Sequence, residues 1–357
     1  MEAKRITFPL EGFNLSGGVR IIVQVANGLA KSGHRVRIIV PDYAATPPFK
    51  LHDSIELVIS HTRGSKLLRK LFYLARLCFT AARDSDICFA TGYKTPYYIC
   101  SAKWLSLSRT RPVYLLQHYE PISHACRGNR FSKRILSSVA KLSYKLPLQK
   151  IAVSHWVKDM VGGARTIVID NGIDLDTFRP ANGLHRTTDE LTVGTIAGAA
   201  EWKGYRVFLD AIQHISAPEK QKIRVLVVSQ SQAELPKGVS AHLIKPSGDS
   251  ELVSFYRACD VFVCCSSIEG FGLPALEAMA CGTAAIITAC GGVSEYANDA
   301  NCLMVPPNDS TALAEAIVKL RRNHNLRASL RAKALGTSQG FSLEKMIGEY
   351  VHLLLRI

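Results

Sequence analysis

No run of eighteen apolar residues occurs in this 357-residue chain, so a membrane-spanning helix is not expected. The opening MEAKRITFPLEGF has no secretory apolar core and no clear cleavage site, which argues against that route of export. Ten cysteines are present, none in C-x-x-C spacing, and no grouping of residues has metal-ligand spacing. Cys88, Cys264 and Cys265 fall inside apolar runs and read as small buried thiols of a reducing, cytoplasmic compartment. Repeats and low-complexity segments are absent. Acidic residues are scarce in one half only: residues 1–180 carry 27 Lys and Arg against 12 Asp and Glu, whereas 181–357 carry 17 of each. The whole net charge of +15 therefore belongs to the first half. Such a half is expected to meet something anionic, whether a membrane surface, an acidic acceptor or nucleic acid.

The length suffices for two domains, each with its own core. A hydrophobic content of 47% and a mean hydropathy of +0.09 fit an α/β protein with buried parallel strands. Residues 4–10 read as a strand; after the Gly17-Gly18 turn comes a helix with Val19, Ile22, Val23, Ala26 and Leu29 at helical spacing, which Gly33 ends, and residues 35–40 form the next strand. In this βαβ unit the Gly17-Gly18 turn would let backbone approach a phosphate at a helix N-terminus. Residues 66–83 and 127–150 are basic and amphipathic. Each either shows a solvated basic face or lies at an anionic membrane surface, where a basic residue contributes about 1 kcal/mol.

Residues 112–117 (PVYLLQ) read as a strand followed by His118, Tyr119 and Glu120, and polar residues there sit where α/β sheets bind ligands. Residues 181–190 read as a linker, 191–196 as the first strand of a second domain, and 222–229 as another core strand. Helices are expected over 252–258, 311–320, 326–335 and 341–357.

The densest stretch is DVFVCCSSIEGFGLPALEAMACGTAAIITACGGVSEY, residues 260–296. Residues 261–265 read as a buried strand and 283–288 as a second; between them lies a helix that Pro274 opens and Cys281-Gly282 stops. Glu269 precedes this helix and Glu277 lies on it. The helix N-terminus offers unpaired N–H groups and partial positive charge, which favour a phosphate. Two carboxylates that accept from hydroxyls, beside amides that bind phosphate, describe a site for a nucleotide sugar.

E-G-F-G-L-P-x-L-E-A-M-A-x-G followed by G-G-x-x-E resembles the donor-site signature of retaining GT-B glycosyltransferases of the family 4 type. G-G-x-R with L-A-x-x-G-H-x-V, and N-G-I-D-x-x-x-F-x-P at residues 171–180, resemble the same family's first βαβ unit and its approach to the linker. The resemblance covers nearly the whole chain. It implies an α/β GT-B fold: two Rossmann-like domains with a deep interdomain cleft, and a C-terminal helix crossing back to the first domain. The implied boundaries are an acceptor-side domain over 1–180, a linker over 181–190, a nucleotide-sugar domain over 191–340 and the returning helix over 341–357.

By the same resemblance, the activity is retaining transfer of a sugar from a nucleoside diphosphate to an acceptor hydroxyl, in cell-surface polysaccharide or glycolipid synthesis. No metal and no other cofactor is required. His118, Lys203 and Glu269 would be catalytic; Gly17, Gly18, Lys203, Arg206, Phe271, Gly272, Leu273 and Glu277 would bind donor; Tyr119 and Glu120 are acceptor candidates. The family's usual arginine five residues before the lysine is replaced by Gly198, with Arg206 as the expected substitute. Expected partners are the nucleotide sugar, a glycan or lipid-linked acceptor, and an anionic membrane surface met by the basic half, with nucleic acid not among them. The expected place is cytoplasmic, peripheral on the inner face of the membrane. A nucleotide-sugar epimerase of GT-B fold and a basic nucleic-acid-binding protein are the alternatives.

Overall fold

The computed structural model describes residues 3–61, 76, 79–105, 108–125, 130–163, 165–181, 190–198 and 200–356, without the side chains of 123–125 and 130–133. Most of the basic helix expected over 66–83, part of the basic segment over 127–150, and residues 182–189 of the expected linker lie outside this description. Among the described residues no helix is long and apolar enough to cross a membrane.

The chain divides into two compact units, Met1–Asn171 with Glu344–Ile357, and Gly172–Leu343. The first holds β1 (Arg5–Pro9), β2 (Arg35–Pro41), β3 (Glu56–Ser60), β4 (Ile87–Ala90), β5 (Arg111–Leu116), β6 (Gln149–Ala152) and β7 (Thr166–Val168). They form one parallel sheet in the order β3-β2-β1-β4-β5-β6-β7. The second holds β8 (Leu191–Ile196), β9 (Ile223–Val228), β10 (Ser240–Ile244), β11 (Val261–Cys264), β12 (Ala284–Thr288) and β13 (Leu303–Val305). These are also parallel, in the order β10-β9-β8-β11-β12-β13. Both orders are doubly wound, so the direction of winding reverses between β1 and β4, and between β8 and β11. Ligands bind outside the carboxyl ends of the strands at such switch points.

The central strands are buried on both faces, which is why VFVC and AAIIT read as unbroken apolar runs rather than alternating ones. In the first unit Phe8 stacks on Phe89 with ring centroids 4.6 Å apart. Helix Leu343–Arg356 belongs to this unit and buries Met346, Tyr350, Leu353 and Leu354. It lies so close to helix Gly17–Lys31 that a side chain at Gly28 would collide with Ile347. Each large apolar side chain buried here contributes about 2 kcal/mol.

One expectation differs in detail. Gly17 and Gly18 do not form a turn before the helix; they are its first two residues, with Ser16 as N-cap accepting from the Val19 N–H at 3.3 Å. Strand β6 starts at Gln149. Lys150 carries it through a polar position by donating to the carbonyls of Leu146 and Leu148.

Candidate functional site

At the second switch point, the loop after β8 runs into a single 3₁₀ turn, Glu201–Lys203, and then into helix Tyr205–His214. Gly204 joins them with φ +68°, and a β-carbon there would run into the carbonyl oxygen of Cys265. Only glycine serves at that position. Ser267 donates its backbone N–H to the Trp202 carbonyl at 2.7 Å, tying this loop to the one that follows β11.

The tie brings Lys203 and Glu269 together. Lys203 Nζ lies 2.6 Å from Glu269 Oε1, and the Ser266 hydroxyl donates to the same oxygen at 2.7 Å. The glutamate side chain is 10% exposed and the lysine 37%. Burial works against the ammonium, but the charge and hydrogen bond of Glu269 outweigh it and raise the Lys203 pKa above the ordinary lysine value. The pair is therefore a fixed cation beside a fixed anion. Gly198 explains itself here: a β-carbon would stand 2.7 Å from Cγ of Lys203, so the aliphatic stem of that lysine fills the space of the expected arginine. Arg206, the expected substitute, has acidic neighbours of its own. Its guanidinium lies 3.3 Å from Asp210 and 3.8 Å from Glu234, with its side chain 75% exposed.

Beyond Glu269 the chain turns at Gly272 (φ +87°) into helix Leu273–Ala280. A β-carbon at Gly272 would meet Val293 and the hydroxyl of Tyr296, which donates to the Gly272 carbonyl at 2.6 Å. Phe271 is buried, its ring 5.7 Å from Tyr296 and 5.9 Å from Phe341. This packing fixes where the N–H groups of Phe271, Gly272 and Leu273 point, at the positive end of the helix dipole. Glu277 is buried and accepts from the Tyr256 hydroxyl at 2.8 Å. Sequence reasoning missed three hydroxyl donors that orient these groups: Ser266, three residues from Glu269, and Tyr256 and Tyr296, which reach Glu277 and Gly272 from 21 and 24 residues away. Burial above all, with the charge of Glu269, pushes the neighbouring thiols of Cys265 and Cys290 up to about 12 and about 11 against the pull of local hydrogen bonds, which disfavours their thiolates.

The remaining candidates lie in the first unit, at or near the carboxyl ends of its strands. Gly18 abuts Gln117, whose Oε1 would be 3.0 Å from a β-carbon there. His118 and Tyr119 follow β5, and the Tyr119 ring lies 5.8 Å from that of Tyr144. Glu120 opens helix Glu120–Ala125; its Oε2 accepts from the Tyr93 N–H at 3.0 Å, and its own N–H donates to the Tyr144 hydroxyl at 3.1 Å. Burial above all, with the charge of Glu11, pushes its pKa up to about 7 against the opposing pull of the Tyr93 hydrogen bond and Lys94. Two Asp-x-Asp triplets have local work: Asp86 pairs with Arg5 at 3.1 Å, and Asp174 accepts from the N–H groups of Asp176 and Thr177.

Residues 15–177 match the family model described as Glycosyltransferase Family 4, and residues 181–336 match that of Glycosyl transferases group 1. An uncharacterized glycosyltransferase of Methanocaldococcus jannaschii is 31% identical over 239 residues, 63% of this chain and 62% of its own. A D-inositol 3-phosphate glycosyltransferase of Saccharomonospora viridis is 29% identical over 205 residues, 49% of this chain and 46% of its own. The chain thus spans about half to three-fifths of the length of the curated relatives it matches. Among solved structures, sucrose-phosphate synthase from Thermosynechococcus elongatus superposes with a TM-score of 0.82 at 18% identity, covering 99% of this chain and 98% of that one. Anabaena HepE in complex with UDP-glucose gives 0.76 at 18% identity, covering 99% and 100%. WaaG, a glycosyltransferase involved in lipopolysaccharide biosynthesis, gives 0.75 at 14%, covering 98% and 99%. These likenesses show the fold: two parallel-sheet, Rossmann-like domains of the GT-B kind.

Proposed function

The chain belongs to the GT-B glycosyltransferases of the family 4, group 1 type, and from that premise we propose that it moves a sugar from a nucleoside-diphosphate donor to an acceptor hydroxyl with retention. The observation that carries the reading is the 2.6 Å pair of Lys203 and Glu269 at the second switch point, beside the helix N-terminus at Gly272. A departing diphosphate gains negative charge as the bond to the anomeric carbon breaks. Lys203 and the N–H groups of Phe271 and Gly272 are assigned to that charge, and removing one such preorganised donor costs on the order of 3 kcal/mol. Glu269, turned by Lys203 and Ser266, takes hydroxyls of the transferred sugar, and Glu277 takes those of the ribose.

The bond from the anomeric carbon to the diphosphate oxygen breaks with its electron pair going to the diphosphate. The acceptor oxygen bonds to the same face, and its proton passes to the leaving phosphate oxygen. No glutamate is a nucleophile in this scheme, because the paired-carboxylate logic needs both groups to flank the scissile bond. Positive charge comes from Lys203 and the helix end, so the scheme needs no metal. Arg206, engaged by Asp210 and Glu234, is left out of the diphosphate set.

Tyr119 and Glu120 of the first unit are assigned to the acceptor; His118 keeps its catalytic assignment, and Gly17 and Gly18, the first residues of helix Gly17–Lys31, keep their assignment to the donor. A glycan or lipid-linked acceptor of a cell-surface polymer fits the basic charge of residues 1–180. HepE is described with UDP-glucose, which makes uridine sugars the first donors to try. Incubation with a panel of nucleoside-diphosphate sugars should release a free nucleoside diphosphate from at least one. Conversion of a donor into its epimer would replace transfer with the epimerase reading, and turnover of none would overturn both.

A further inference from the structure

At the amino edge of the first sheet, opposite the strand ends just described, a cavity of about 530 Å³ opens between the segments entering β6 and β7. Its lining includes Lys145, Lys150, Gly162, Gly163, Arg165 and Thr166, and among the described residues no Asp or Glu lines it. Lys150 is 9% exposed. Its Nζ donates to two neutral acceptors, the carbonyls of Leu146 at 3.0 Å and Leu148 at 3.4 Å. Burial first, and then the charge of Arg165, holds its pKa below the ordinary lysine value. Two like charges thus line one cavity, one of them desolvated, and among the described residues no carboxylate in the lining offsets them. Such an arrangement is unfavourable unless an anion joins it.

A second cavity on the same edge provides the contrast. It holds about 400 Å³ at the starts of β1, β2 and β3, and Arg5, Arg35 and Arg37 line it. There Glu56 and Asp84 share the lining, and Asp86 binds Arg5. That cavity is offset from within; the one at β6 and β7 is not.

We propose that the cavity built on Lys150, Arg165 and Lys145 is a binding site for a phosphate group, separate from the sugar-transfer site. Lysine supplies a buried point charge, arginine a planar fork, and the Gly162-Gly163 stretch lets backbone approach closely. A free phosphorylated metabolite and an anionic lipid headgroup present this same chemistry. Because the site lies at the amino edge, its occupancy does not depend on the glycosyltransferase reading.

The test has two arms, using the full chain. Inorganic phosphate is titrated calorimetrically, and sedimentation is measured with phosphatidylglycerol vesicles against phosphatidylcholine vesicles. Lys203 offers inorganic phosphate a second place, so the site is read as the difference between wild type and Arg165→Gln. Arg165 is exposed, and its replacement should leave folding intact even if Lys150→Met does not fold. The expected result is about tenfold weaker binding in Arg165→Gln, the scale of one lost charge-assisted hydrogen bond. Weakening in the phosphate arm assigns a soluble ligand, and weakening in the vesicle arm alone assigns a headgroup. Equal binding by wild type and Arg165→Gln in both arms, or no binding by wild type in either, overturns the proposal.

Discussion

In the first sheet the switch point between β1 and β4 is bridged by Glu11, which follows β1, and Lys94, which follows β4. In the second, the switch point between β8 and β11 is bridged by Lys203, which follows β8, and Glu269, which follows β11. Strand order is shared and the order of charges is reversed. Tightness differs as well: the first pair stands at 3.5 Å with side chains 39% and 53% exposed, the second at 2.6 Å with 37% and 10%. Solvent-exposed pairs contribute about 0–1 kcal/mol and hold geometry weakly, whereas a desolvated pair with further hydrogen bonds is held in one arrangement. The second switch point is built to keep its charges fixed. The first carries in Glu120 a carboxyl whose pKa is pushed up to about 7 by burial and Glu11, so its charge changes across neutral pH. That contrast is in keeping with the proposal that the second unit takes the charged donor and the first an acceptor hydroxyl.

Lys203→Met should break the comparison most severely. Turnover of donor should fall about 10²–10³-fold, the scale of a lost oxyanion donor. Glu269 loses its cation in the same change, so thermal unfolding should shift down as well; partial exposure of the lysine keeps that effect below the 3–5 kcal/mol typical of a fully buried pair. Equal turnover by the variant would remove the second switch point from the chemistry.

Glu120→Gln sharpens the other side. A carboxyl whose folded pKa is raised holds a proton that the unfolded chain has already released. Its contribution is complete below the unfolded value near 4.5 and is lost as pH rises through about 7. Wild-type stability should therefore fall between those limits by at most about 3 kcal/mol, and the glutamine variant should flatten the slope. Unfolding followed from pH 4.5 to 8 reads this directly. A wild-type profile as flat as the variant's would contradict the titrating site.

Gly204→Ala should cost about 2 kcal/mol or more, from a left-handed backbone and a collision with the carbonyl of Cys265. Loss of donor turnover with it would show that Lys203 depends on that close approach. The smallest effect belongs to Glu11→Gln. Stability should change by less than about 1 kcal/mol, because the pair with Lys94 is exposed. The Glu120 midpoint, measured by carboxyl titration, should move down, since Glu11 is one of the charges raising it.

Much of the fold was legible because buried parallel strands read as apolar runs. The strands over Val261–Cys264 and Leu191–Ile196, and the helix that Pro274 opens, stand within a residue or so of expectation. Short or exposed strands left no such signal: in β10 the sequence SAHLI has no buried residue, and β13 spans three residues. The glutamates, Lys203 and the glycine turns of the donor stretch could be picked out because their chemistry sits in one continuous segment. Their orientation could not. Tyr256 reaches Glu277 from 21 residues away and Tyr296 reaches Gly272 from 24 residues away, contacts that only the packed sheet creates. Gly198 is the reverse case, where a departure from the expected arginine becomes explicable once the stem of Lys203 occupies its space.

In the proposed reaction a diphosphate meets Lys203 at the second switch point. Calorimetric titration of a panel of uridine, guanosine, adenosine and thymidine diphosphate sugars into wild type and Lys203→Met tests this most directly. At least one should bind wild type and bind the variant about a hundredfold more weakly, in line with the loss of a buried charge-assisted contact. The same affinity in both proteins would contradict it.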